Sequence, residues 1–71
     1  MNISKIGNSL TIEKGLIKFK VHPAEEVYGR NMNYLSKLVL YRIVEGESIP
    51  ISLGVFEDLS CIKNYIEENF N

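Results

Sequence analysis

The chain has 71 residues, 45% of them hydrophobic and 24% charged, with a formal net charge of −1. That is the length of one domain (1–71) with enough apolar content to fold, so extensive disorder is excluded. A domain this small buries only about 60% of the surface its unfolded chain exposes. Its one cysteine, Cys61, excludes an internal disulfide, and small secreted domains usually depend on such staples, so a cytoplasmic location is expected. No run approaches the roughly 20 apolar residues that cross a bilayer, and Met1-Asn2-Ile3-Ser4-Lys5 has no signal-peptide core. No membrane role is expected.

The near-neutral total hides a split. Through Arg42 there are seven basic residues against three acidic, and from Val44 onward one basic against six. Either the acidic end docks on the basic part, or two surfaces of opposite sign meet different partners.

In chain order, Ser9 to Glu13 can form a short strand, turning at Glu13-Lys14-Gly15. Leu16 to His22 alternates as a strand, with Ile17, Phe19 and Val21 on one face and Leu16, Lys18, Lys20 and His22 on the other. Pro23 to Asn33 reads as a loop whose Pro-Ala-Glu-Glu start can carry one helical turn. Leu35 to Glu45, rich in Leu, Val, Tyr and Ile, reads as a long strand, and Gly46 supplies a hairpin turn into Ile49. Ile49, Ile51, Leu53 and Val55 alternate in turn. Pro50 cannot donate to a ladder, which marks this as an edge strand or Pro50 as its start, and Gly54 is expected to permit a bend into the helix.

The last element is the clearest. Leu59, Ile62, Ile66 and Phe70 fall at spacings of three and four, and Asp58 stands ready as N-cap. Cys61 is expected to be a small buried or half-buried residue of that helix. The expected fold is therefore α+β: a small antiparallel sheet of three to four strands, order β(β)ββα, with one C-terminal amphipathic helix.

One helix covers one sheet face, yet the long strand is apolar on both: Leu35, Val39, Tyr41 and Ile43 with Lys37 on one side, Leu38, Leu40 and Val44 with Ser36 and Arg42 on the other. Either the N-terminal segment, with Ile3, Ile6, Leu10 and Ile12, folds over the second face, or the surplus is a contact surface, a homodimer being the simplest case.

Chemistry is thinly represented. His22 is the only histidine, read as exposed or at a loop edge, and zinc would need more Cys and His than exist. The carboxylate pairs Glu25-Glu26, Glu57-Asp58 and Glu67-Glu68 are sequence neighbours and do not converge on one substrate. Gly7, Gly15 and Gly29 are isolated, so no phosphate loop is present. No catalytic, cofactor or metal residues are assigned, and no enzyme is expected.

Lys5-Ile6-Gly7-Asn8-Ser9-Leu10 resembles the opening of the AbrB-like swapped-hairpin regulators. The next residues, Thr11-Ile12-Glu13-Lys14-Gly15, depart from that family's pattern, so its DNA contacts are not carried over. Gly54-Val55-Phe56-Glu57-Asp58-Leu59, continuing to Tyr65-Ile66, is similar to the strand-to-helix step of the small three-stranded DNA-binding domains of tyrosine recombinases. The acidic helix here departs from what those domains present to DNA.

The leading expectation is a small intracellular protein-binding module that self-associates, using Val39, Tyr41 and Ile43 on the sheet and Glu67 and Glu68 at the helix end. Richness in Ile, Asn, Lys and Glu is associated with AT-rich bacterial or phage genomes, which fits an accessory protein that modulates a host protein. The alternative is nucleic-acid binding through Lys18, Lys20, Lys37 and Arg42, against which stands a sequence pI of about 5.7.

Overall fold

The computed structural model describes residues 1–70. The elements are β1 (Asn2–Ile6), β2 (Ser9–Lys14), β3 (Ile17–Pro23), α1 (Ala24–Tyr28), β4 (Leu38–Ile43), β5 (Ile51–Phe56) and α2 (Leu59–Asn69). The five strands form one antiparallel sheet in the order β1-β2-β3-β4-β5. The fold is α+β with a C-terminal helix, as expected, but the sheet has five strands rather than three to four.

The extra strand comes from the N-terminal segment. It does not fold over the second sheet face; β1 extends the sheet sideways, pairing with β2 from Asn2↔Glu13 to Ile6↔Ser9. Two-residue turns make this possible. Gly7 opens the β1–β2 turn at φ +60° and Gly15 the β2–β3 turn at φ +61°, the backbone sign that matches the twist of tight hairpins. The second turn projects Leu16 wholly into solvent.

β4 is shorter than the Leu35–Glu45 run. Before it the chain is folded into turns: Asn31 Oδ1 accepts from the Asn33 N–H at 2.7 Å. Lys37 N–H donates to the Tyr34 carbonyl at 3.2 Å, and Ser36 sits at φ +60°. β5 is an edge strand with Pro50 just before it. Its register slips between Leu40 and Tyr41, which face Gly54 and Ser52, so Leu53 is an extra residue there. Gly54, at φ +128°, serves this bulge rather than the bend into α2.

α2 lays Ile62 and Ile66, both fully buried, on Ile12, Phe19, Val21 and Leu40. Leu59, Tyr65 and Phe70 flank that cluster. Phe70 meets Phe19 edge-on at 5.0 Å between centroids, and Tyr65 meets Phe56 at 5.1 Å. Each buried aliphatic side chain contributes roughly 1.5–3 kcal/mol. The helix begins where Asp58 Oδ1 accepts from the Cys61 N–H at 2.9 Å. That bond is also the main reason the Asp58 carboxyl lies below its ordinary pKa. Cys61 itself is exposed, not buried, because it sits off the stripe set by Leu59, Ile62 and Ile66.

The charge split is partly closed within the molecule. Lys14 Nζ lies 3.1 Å from Glu67 Oε2 and Lys37 Nζ 3.0 Å from Glu57 Oε1, each pair joining the basic part to the acidic end. Among the described residues no helix is long and apolar enough to cross a membrane.

Candidate interaction face

Strand alternation places Lys18, Lys20 and His22 of β3, and Val39, Tyr41 and Ile43 of β4, on the face away from α2. The two halves of this face differ. At the Pro23–Leu38 end, α1 packs against β3 and β4. Its position is tied by the Ala24 N–H donating to the Lys37 carbonyl at 2.9 Å and by Asn8 Nδ2 donating to Glu26 Oε1 at 3.0 Å. Ala24 and Val39 are fully buried there, apart from the main core.

An aromatic cluster borders this covered end. The Tyr28 and Tyr34 rings lie 4.9 Å apart. His22 meets Tyr41 edge-on at 5.8 Å, and its Nδ1 lies 2.9 Å from Ser9 Oγ. The Tyr41 phenol is held above its ordinary pKa, first by burial and then by the neighbouring Tyr28, so it stays protonated and able to donate.

The other half is uncovered. Two adjoining depressions of about 300 Å³ each run along it, one lined by Lys20, His22, Tyr41, Ile49 and Pro50, the other by Leu16, Lys18, Ile43 and Glu45. Leu16 stands fully exposed at one margin, and Ile49 is 77% exposed at the other. Lys18 and Lys20 make no ion pair among the described residues, although Glu13 is the cross-strand partner of Lys18. The surface offers apolar side walls, two free ammonium groups, an imidazole and a phenol, with the Glu45 carboxylate at one end.

The residues singled out from sequence do not form one surface. Tyr41 and Ile43 are half-buried in the depressions. Val39 is fully buried and presents no surface, because α1 and the turns after it cover its end of the face. Glu67 and Glu68 lie on α2, across the sheet from Tyr41, and Glu67 is engaged by Lys14. Among the basic set only Lys18 and Lys20 share the open face. Lys37 is held by Glu57, and Arg42 points to the α2 side, its guanidinium 5.4 Å from the centre of the Phe70 ring.

Leu16, Ile49 and Pro50 were missed from sequence as site residues. The signal for Leu16 is its place directly after the turn glycine Gly15, where the chain must turn outward. His22, expected at an exposed edge, is half-buried by Ser9 and Tyr41. No three His, Cys, Asp or Glu side chains converge as a metal set among the described residues.

No protein-family model, characterised protein or solved structure matches this chain.

Proposed function

We propose that this chain is a protein-binding module, and that its partner lays an acidic, apolar segment along the uncovered half of the open face. The observation that carries this reading is the pairing of exposed Leu16 and Ile49 with two unpaired lysines across adjoining depressions. Apolar side chains of the partner fill the space beside Tyr41, Ile43 and Pro50, and its carboxylates meet Lys18 and Lys20. Nucleic acid is less well served, because two of the four basic residues it would use are turned to Glu57 and Phe70.

A peptide-display selection against the full chain, counter-selected on the Leu16→Asp/Ile49→Asp variant, tests this reading. The expected winners carry Asp or Glu beside Leu, Ile or Phe, and lose at least about tenfold in affinity for the variant, equivalent to about 1.4 kcal/mol. Failure to enrich any peptide, or winners indifferent to both substitutions, would contradict it. A single-stranded DNA oligomer that bound instead, with affinity falling steeply with salt, would establish the nucleic-acid alternative.

A further inference from the structure

The two edges of the sheet are built differently. β5 is defended against pairing: Pro50 precedes it, the bulge at Leu53 breaks its register, and Gly54 adopts φ +128°. These are the devices by which natural sheets blunt an edge. β1 has no Pro, Gly or bulge, and of the usual edge defences it carries a single lysine. Its register with β2 is unbroken over five residues, and Lys5 is its only charge. All five of its residues are exposed, and among the described residues no strand pairs with its outer side.

We propose that β1 pairs antiparallel with β1 of a second copy of this chain, across a two-fold axis at Ser4, joining the two five-stranded sheets into one. The strand is self-complementary in that register. Ile3 of each copy lies opposite Lys5 of the other, against its aliphatic stem, and Ile6, 74% exposed in the single chain, lies opposite Asn2. A register centred on Lys5 instead would set two ammonium groups face to face. The contact is isologous and closes at two copies, while the defended β5 edge stops the sheet from growing further. It uses the edge and not the open face, so it stands independently of the partner proposed above. It would carry two open faces on one continuous sheet, giving a bivalent module.

Light scattering after size exclusion, from micromolar to millimolar concentration, tests the pairing. The expected species has twice the 8.1 kDa mass of the chain. Ile3→Lys would set lysines opposite Lys5 at both ends of the axis and weaken the dimer by about tenfold or more. Ile3→Lys/Lys5→Glu should restore it through opposite charges, and Val55→Lys on the β5 edge should leave it unchanged. Amide exchange on the unsubstituted chain reads the same contact without any variant, since β1 amides should slow as concentration rises. A monomer at every concentration, a dimer that survives Ile3→Lys, or one broken by Val55→Lys would overturn the proposal.

Discussion

The two faces of the sheet are made from the same strands and yet are finished in different ways. On one, α2 seals a continuous core of Ile12, Phe19, Val21 and Leu40 under Ile62 and Ile66. On the other, α1 and the turns that follow it bury only Val39 and Ala24 at one end, and the remaining half keeps Leu16, Ile43 and Ile49 beside free lysines. Among the described residues nothing covers that half. The covered face supplies most of the buried core, and the uncovered half leaves its side chains exposed.

Substitutions that set one face against the other should sharpen that contrast. Ile62→Asp places a charge in the sealed core, and we expect loss of the folded state by circular dichroism, a cost above about 3 kcal/mol. Phe19→Ala, which empties the space under Phe70 and Ile66, should cost about 3–5 kcal/mol in urea melts. Ile49→Asp, on the open face, should shift stability by no more than about 0.5 kcal/mol while removing peptide binding. If Ile49→Asp destabilised the chain as much as Phe19→Ala, the division between the faces would be wrong.

Smaller effects belong to the helix start and the ion pairs. The folded Asp58 carboxyl lies below its ordinary value, so its capping contribution is complete above the unfolded carboxylate range and is lost as pH falls through the depressed folded pKa. Tm should therefore fall on acidification, and less so in Asp58→Ala, whose Tm near neutral pH should already be a little lower. The neighbouring Cys61 thiol is pushed up, first by its hydrogen bond with Asp58. Alkylation by iodoacetamide should accordingly be faster in Asp58→Ala than in the unsubstituted chain. The smallest effect is expected from Lys37→Ala, about 0.5 kcal/mol or less, because Glu57 in that pair is largely solvated.

Much of this organisation is visible in the residues themselves. α2 announces itself through the stripe from Leu59 to Ile66 and the capping Asp58, and β3 through strict alternation, because both bury one periodic face. β1 escapes notice for the opposite reason: every residue of Asn2–Ile6 is exposed, so burial leaves no period to read. The shortening of β4 depends on Ser36 adopting a left-handed conformation, which nothing in its local sequence demands. At the candidate site, alternation groups Lys18 with Lys20 and Tyr41 with Ile43, but only the β3–β4 register puts both pairs on one face. The burial of Val39, the half-burial of His22 against Ser9, and the approach of Ile49 and Pro50 to Tyr41 arise from long-range packing. Lys37 and Arg42 were lost to the basic surface through partners at the far end of the chain.

We propose that the uncovered half of the open face binds a partner while contributing little to folding. The most direct test measures Tm and peptide affinity together on Leu16→Asp/Ile49→Asp, using the peptide selected on the unsubstituted chain. A nearly unchanged Tm and an affinity weakened at least about tenfold are expected. An unchanged affinity, or a loss of binding that merely tracks a loss of folding, would contradict it.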